Sequence, residues 1–458
     1  MGLAELPLEL VIAIAKASRN AHDINTLART CRRFYQGLNT FLYQYSIRYS
    51  GGSGMYRASD TGNAAAVGKF LDHGADPNAA SSGPPLILAA TRGHYNVAEL
   101  LIKRCPDLNI NIRDPGSHYS AFFWAIVKGN EELAALLLNA GADINLGDDE
   151  GNTPFSESIE EGSTKKVKWL LDHGAKFETD VPHGDTALTI AAEHGNEEIV
   201  RLLLEKDIDL DHMNKENRTA LSLAVENGYL GIAKLLIHKG ASIDIVNENG
   251  MTPLGGATEY GNVEIMELLI DNGADIDFLD SNGSCCLAIA MEENQMSAFE
   301  LLLKKGANID LQDDTGSTPL HVAAGLRNTE FAKLLLEHGA NIEAKDSAGD
   351  TPLSSATRKG FLESATLLLD RGANIETRND SEHTPLFTAA IFGHMDLINL
   401  LIARGASVNV SDEFGRTPRL VAIASKNDKL RAVLIENGAI HDHDANDAID
   451  TESTTNAG

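Results

Sequence analysis

The sequence predicts an all-α solenoid of about twelve stacked helix-turn-helix units, preceded by a small three-helix bundle. The main observation is a Gly-Ala dipeptide that returns every 33 residues, or about every 66 where one copy has diverged. A Thr-Pro or Thr-Ala dipeptide keeps the same period and opens a short apolar stretch. This period indicates single-file repeats rather than the three globular domains that 458 residues would suggest. The dipeptide begins at Gly74, Gly141, Gly174, Gly240, Gly273, Gly306, Gly339, Gly372, Gly405 and Gly438.

One unit illustrates the local chemistry. Thr318 is a good N-cap, and Pro319 suits a first helical turn because its missing N–H needs no partner there. Apolar residues at 320–324 predict a short first helix, and apolar spacing at 331–335 predicts a second. Gly339 then ends the second helix, since glycine readily adopts the left-handed C-cap conformation. One such pair cannot bury its apolar face alone, so neighbouring units must stack.

The unit that contains Thr318-Pro319-Leu320-His321 resembles the ankyrin repeat, whose signature is a 33-residue period with this tetrapeptide. The resemblance extends over about residues 53–440, in twelve units of which the first and last are incomplete or divergent. It implies a protein-binding surface formed by the inner helices and by the finger-like turns between units. We therefore assign residues 51–440 to the repeats.

Composition and charge narrow the range of partners. The formal net charge is -28, which disfavours binding to nucleic acid or to anionic membranes and leaves basic protein segments as partners. The charge could equally serve only to keep the chain soluble. The sequence contains no Gly-rich phosphate loop, nucleophile elbow or His-Glu-x-x-His motif. We expect a protein that is not an enzyme and that has neither a cofactor nor a metal.

The cysteines and several histidines favour structural roles. The spacing of Cys31, Cys105, Cys285 and Cys286 matches neither a zinc site nor a disulfide framework, which favours a reducing compartment, cytoplasmic or nuclear. No secretory signal is evident at the N-terminus. Cys285-Cys286 occupies a Thr-Pro position and predicts a missing helix cap. Three histidines stand directly before a Gly-Ala dipeptide and predict helix C-caps rather than metal ligands: His73, His173 and His338.

Residues 1–50 lack the repeat and predict three short helices. Leu6-Pro7 begins the first, 23–34 forms the second with Phe34 on its apolar side, and aromatic residues at 41–45 lie near the end of the bundle. The Leu-Pro-x-Glu-Leu start and the later Cys-Arg-Arg resemble the F-box, which implies docking on the Skp adaptor of a cullin–RING ubiquitin ligase. The alternative is a bundle that only caps the first repeat. The implied adaptor-facing residues are Leu6, Pro7, Leu10, Ile14, Leu27 and Cys31.

One column of carboxylates is the candidate target-binding surface. Five glutamates are spaced one period apart at the predicted end of the first helix in successive units, and the column stops there, since the next equivalent positions are Gly325, Arg358 and Ile391. In stacked repeats these positions form a stripe that could attract a Lys/Arg-rich segment. The alternative is an ordinary solvated helix face. Phe414, at a predicted finger tip, is a further candidate contact. The column consists of Glu160, Glu193, Glu226, Glu259 and Glu292.

The sequence thus predicts a scaffold that binds another protein. The more specific hypothesis is a substrate receptor of an SCF-type ubiquitin ligase, with the F-box-like segment on the adaptor and the repeats on the target. The alternative is a plain ankyrin adaptor unrelated to ubiquitin. We expect a monomer outside the complex, and a disordered acidic and polar tail at residues 441–458.

Overall fold

The computed structural model describes residues 10, 13, 14, 32–49, 53–79, 83–177 and 184–440. They are distributed over two compact units, Met1–Leu223 and Ala224–Gly458. The predicted tail at 441–458 lies outside the described residues.

Helices of the first unit occur as consecutive pairs after one long helix. Each pair consists of a first helix of 7 or 8 residues and a second helix of 7 to 10 residues. The helices are α1 (Arg32–Tyr49), α2 (Ser53–Asp60), α3 (Ala64–Asp72), α4 (Pro85–Arg92), α5 (Tyr95–Arg104), α6 (Ala121–Val127), α7 (Glu131–Asn139), α8 (Pro154–Glu160), α9 (Thr164–Asp172), α10 (Ala187–Glu193) and α11 (Glu197–Leu203).

The second unit continues the same pattern, and the unit boundary falls inside α12. From α2 to α25 the described residues therefore contain twelve helix pairs, which confirms the number of repeats. The helices are α12 (Ala220–Glu226), α13 (Leu230–Lys239), α14 (Pro253–Glu259), α15 (Val263–Asp271), α16 (Cys286–Glu292), α17 (Met296–Lys305), α18 (Pro319–Ala324), α19 (Glu330–Glu337), α20 (Pro352–Lys359), α21 (Leu362–Asp370), α22 (Pro385–Phe392), α23 (Met395–Ala403), α24 (Pro418–Ala424) and α25 (Asp428–Glu436).

Helix ends follow the predicted chemistry. The Thr153 hydroxyl accepts a hydrogen bond from the Ser156 N–H at the start of α8, and Thr384 does the same for Phe387 in α22. Cys285 makes no such side-chain bond, as predicted. At the other end, Gly306 closes α17 with φ of 88°, a conformation that a residue with a Cβ adopts at a cost. These caps satisfy backbone groups at the helix ends and so fix where each short helix begins and ends.

Small side chains allow the first helices to pack closely. Ala323, Ala356 and Ala389 occupy the same register position in successive repeats of the second unit, and all three are buried. The second helices supply larger groups, such as Phe299 and Phe331, whose rings meet edge to face with centroids 4.9 Å apart. Each fully buried Leu or Phe contributes about 1.5–3 kcal/mol of transfer free energy, so the stacked layers are the main source of stability.

The N-terminal segment differs from the prediction in its helix bounds. The single helix α1 spans Arg32–Tyr49 and runs through positions that the sequence pattern divided between a second and a third helix, including Phe34. Leu38 is buried, and the Tyr43 ring meets Phe70 edge to face at 4.6 Å and stacks on His73 at 5.2 Å. Because helix stability comes mostly from tertiary packing, this anchorage on the first repeat keeps the helix continuous.

Candidate functional site

The glutamate column occupies the position that the sequence predicts. Each of the five glutamates is the last residue of the first helix of its repeat: α8, α10, α12, α14 and α16. Glu160 and Glu193 belong to the first unit, and the other three belong to the second. Glu160 and Glu292 are exposed, whereas Glu193, Glu226 and Glu259 are half-buried. The column therefore presents carboxylates at the helix surface in both units.

Most of these carboxylates lack a partner. Within the described part of the chain, the side chains of Glu160, Glu193, Glu259 and Glu292 form no hydrogen bond or ion pair. Burial raises the pKa of Glu292, and the nearby charges of Asp280 and Glu293 raise it further. An unpaired carboxylate among other carboxylates gains most from an external cation.

The last glutamate of the column, Glu292, borders a groove in the second unit. The groove has a volume of about 630 Å³, and its lining includes Glu292, Val322, Ser355 and Arg358. Arg358 stands at the column position two repeats after Glu292 and forms an ion pair with the Asp350 carboxylate, which is fully buried. Asn379 also donates a hydrogen bond to Asp350 at 2.7 Å. The charge of Arg358 is therefore neutralised within its own repeat.

The histidine of the signature tetrapeptide is structural. His321 is buried, and its Nδ1 accepts a hydrogen bond from the Thr318 N–H at 3.1 Å. Its Nε2 lies 3.0 Å from the Asp350 carbonyl oxygen, which makes Nε2 the protonated nitrogen. Burial lowers the pKa of His321, so the imidazole is neutral at physiological pH. It ties the cap of α18 to the next turn and has no free nitrogen for a ligand.

A second set of residues, each Asp or Asn, lies in the finger turns. The charge of the aspartates alone does not distinguish them from the glutamates of the column. In each case the side-chain oxygen accepts hydrogen bonds from the backbone N–H groups two and four residues later. Asp313, for example, accepts from Thr315 and Ser317, both at 2.8 Å. Asparagine performs the same role in other repeats, so the position requires an acceptor oxygen and not a charge. The set is Asp148, Asn214, Asn247, Asp280, Asp313, Asp346, Asn379 and Asp412.

A third set bridges adjacent repeats. A side-chain oxygen shortly after the Gly-Ala position of the repeat accepts a hydrogen bond from the backbone N–H 31 residues later, or 32 residues later for Asn111, as Asp310 does from Asn341 at 3.0 Å. Asp, Asn and Glu all occur here. The Asx/Glu pattern after Gly-Ala was a visible signal for this role. The set is Asn78, Asn111 and Asn145 in the first unit, and Asp244, Asp277, Asp310, Glu343, Glu376 and Asn409 in the second.

Phe414 is exposed, as predicted, with 74% of its surface accessible. The Arg416 guanidinium lies 5.3 Å from the ring centroid, and Arg416 also bonds the buried Asp412 carboxylate at 2.7 Å. The ring is therefore held by a cation of its own finger, and its role in target binding stays a prediction.

Two of the six adaptor-facing residues lie among the described residues. Leu10 is 53% exposed and Ile14 is 47% exposed. Leu6, Pro7, Leu27 and Cys31 lie outside the described residues.

The three histidines that precede Gly-Ala dipeptides, and Cys286, have structural positions. His73, His173 and His338 are the C-cap residues of their helices, and the Nδ1 of each lies 2.7–2.9 Å from the carbonyl oxygen four residues earlier. Burial raises the pKa of the Cys286 thiol to about 12, so this cysteine is not a reactive thiolate at neutral pH. In the described ranges no cluster of three or more His, Cys, Asp or Glu could hold a metal ion.

Among the helices that the structure describes, none is long and apolar enough to cross a membrane.

Comparison with known proteins supports the repeat assignment. The family profile described as "Ankyrin repeats (3 copies)" matches residues 54–148, 106–181, 176–247, 239–313, 287–379 and 372–447. Two curated relatives are the proteins named "Ankyrin repeat and SAM domain-containing protein 6" from Rattus norvegicus and Mus musculus, each 32% identical over 106 residues. The match covers 22% of this chain and only 12% of each relative. Because the family matches span nearly all described repeats, the chain belongs to the ankyrin-repeat family.

Proposed function

We propose that this protein is a scaffold whose inner-helix glutamates bind a basic segment of another protein. The observation that supports this is the composition of the column: five successive repeats carry Glu at the last position of the first helix, with no Gln or Asn among them. The turn positions, by contrast, exchange Asp for Asn. A column that retains charge, and in which Glu160, Glu193, Glu259 and Glu292 have no partner among the described residues, is suited to electrostatic complementarity.

Charge reversal tests this proposal. Replacing Glu193, Glu226 and Glu259 by Lys should abolish capture of a Lys/Arg-rich partner and leave the helical circular dichroism signal intact. A matched control reverses Glu198, Glu264 and Glu300, three exposed glutamates of the second helices. Unchanged capture by the column variant, or equal loss in the control, would contradict the proposal.

The more specific proposal is a substrate receptor of an SCF-type ubiquitin ligase. The F-box-like segment would dock on the Skp adaptor, and the repeats would hold the target. The mechanism is proximity: a target lysine kept near a ubiquitin-loaded enzyme reacts at a raised effective concentration. The 53% and 47% exposure of Leu10 and Ile14 supports this reading, since residues of a mere cap would be covered.

Co-purification with the Skp adaptor tests the receptor proposal. The full chain should retain the adaptor, and Leu6→Ala combined with Pro7→Ala should lose it while target capture by the repeats persists. An adaptor that never co-purifies would leave the plain ankyrin scaffold. That alternative has its own support, because Tyr43 of α1 packs on Phe70 and His73 as a cap would.

A further inference from the structure

Two aromatic rings form an unusual patch in the first unit. The centroids of Tyr119 and Trp124 lie 5.4 Å apart with the rings at 64°, and Tyr119 also stacks on Phe123 at 3.9 Å. The Trp124 indole Nε1–H donates a hydrogen bond to the Asp114 carboxylate at 3.0 Å. Neither ring is fully buried. The pair is therefore held in place while part of its surface remains accessible.

The repeat register assigns this patch to the binding face. Trp124 and Glu157 occupy equivalent positions of successive repeats, 33 residues apart. The equivalent residues of the second unit, Val322 and Ser355, both line the groove described above. Tyr119 corresponds in the same way to the groove residue Ser317. The aromatic pair and Glu157 thus share the register positions that form the groove.

The surroundings of the rings are strongly negative. Burial raises the pKa of the Tyr119 phenol, and the charges of Glu157, Asp148, Glu150 and Glu160 raise it further. Burial likewise raises the pKa of Glu157, with added contributions from Glu160, Glu161 and Asp148. A carboxylate in such a setting is stabilised when a cation enters.

Glu157 has no partner for its charge. Its half-buried carboxylate makes no hydrogen bond or ion pair within the part of the chain that the structure describes. The Lys166 ammonium attracts the Glu157 carboxylate but donates its hydrogen bonds to the Glu161 carboxylate and the Val127 carbonyl oxygen. The Glu157 carboxylate therefore remains available to a cation from outside the chain.

One face of the aromatic patch already attracts a cation of the chain. The Lys128 ammonium lies 5.4 Å from the Trp124 ring centroid, within the range of a cation–π contact. Lys128 is exposed, so this contact is readily exchanged for another. The ring is therefore a surface on which a positive group is stable.

We propose that Trp124, Tyr119 and Glu157 form a subsite for one arginine side chain of the protein partner. This inference rests on the proposed function, in which the inner face binds a basic segment, and it names the chemistry of one contact. A guanidinium fits better than an ammonium, because its planar group stacks on aromatic faces while its N–H groups bond a carboxylate. Lys128 leaves the ring when the arginine enters.

Tryptophan fluorescence offers a direct test because the chain has two tryptophans. In a full-length Trp169→Phe variant, Trp124 is the sole reporter. Two peptides are titrated into it, an acetylated and amidated Gly-Arg repeated three times and its Gly-Lys counterpart. The arginine peptide should change Trp124 emission and bind roughly fivefold more tightly than the lysine peptide.

Three variants in that background sharpen the test. Glu157→Gln should weaken the arginine peptide roughly fivefold while the protein becomes slightly more stable, a combination that a merely structural role would not produce. Lys128→Met should tighten binding because the competing cation is gone. Glu198→Gln, on the exposed face of α11, should leave binding unchanged.

Two results would overturn the inference. One is Trp124 emission that does not respond to either peptide, and the other is equal affinity for arginine and lysine peptides in all variants. Peptides could still bind in a manner that depends on Glu193 and Glu259 without any change in Trp124 emission. That result would contradict the arginine subsite and would support the acidic binding surface of the proposed function. If neither peptide bound the protein at all, both the arginine subsite and the proposed acidic binding surface would be contradicted.

Discussion

The acidic residues of the turns and those of the inner-helix ends have different roles although they have the same chemistry. In the turns, some repeats carry Asp and others Asn, and the side-chain oxygens accept hydrogen bonds from backbone N–H groups at about 2.7–3.1 Å. At the inner-helix ends the residue is always Glu over five repeats, and four of the five have no partner among the described residues. The difference shows that a net charge of -28 is not a single functional property of this molecule.

The difference arises from the backbone groups that each position leaves without a hydrogen-bond partner. A finger turn leaves several backbone N–H groups without a helix or sheet partner, and a short Asx side chain satisfies two of them at once. The helix end has no such need, because its last residues expose carbonyl groups, to which a carboxylate cannot donate. A glutamate at the last position of the helix therefore lacks the backbone role that the Asx residue has in the turn.

The largest effect should come from a turn. Asp313→Ala removes an acceptor for the Thr315 and Ser317 N–H groups and should cost about 2 kcal/mol of unfolding free energy. Asp313→Asn keeps the acceptor and should cost less than about 0.5 kcal/mol. Urea unfolding followed by circular dichroism measures both. Equal losses in the two variants would show that the turn needs the charge after all.

A smaller effect is expected from the bridge between repeats. Asp310→Ala removes the acceptor of the Asn341 N–H, which is exposed enough for water to replace it, so the expected loss is about 1 kcal/mol. Asp310→Asn is the matched control and should unfold like the wild type. If Asp310→Ala were also neutral, the bridging set would not stabilise the stack.

The smallest effect has the opposite sign and depends on pH. The folded-state pKa of Glu157 is raised, first by burial and then by neighbouring carboxylates, so its ionised form opposes folding at neutral pH. Glu157→Gln should therefore stabilise the fold by about 0.5 kcal/mol or less at pH 7. The gain should shrink as the pH falls through the raised pKa, because the wild-type carboxyl group then becomes neutral. A stability difference between Glu157→Gln and the wild type that grows toward acid pH would contradict the raised pKa of Glu157.

The fold was largely predictable because its rules are local and repeated. Caps such as Thr384 and C-terminal glycines such as Gly306 depend on a few neighbouring residues, so the 33-residue period located the twelve helix pairs. The Glu column was predictable for the same reason, since stacking aligns equal positions. The bounds of α1 were predicted wrongly, because packing on Phe70 and His73 keeps that helix continuous.

The partners of individual charges could not be predicted. The Arg358–Asp350 pair depends on where two side chains of one repeat meet, which the sequence pattern does not show. The carboxylates of the turns looked identical to those of the helix ends until their hydrogen bonds were known. The aromatic patch likewise depends on Trp124 being turned toward Asp114 by a hydrogen bond.

One titration compares the two kinds of carboxylate directly. Two full-length variants each lose three negative charges: Glu193, Glu226 and Glu259 become Gln in one, and Asp280, Asp313 and Asp346 become Asn in the other. Binding of a fluorescent oligoarginine peptide is measured by anisotropy at low salt. We predict that the inner-helix variant loses most of its affinity and that the turn variant binds nearly as the wild type does. Equal loss in both variants would show that only the net charge attracts the peptide and would contradict the account.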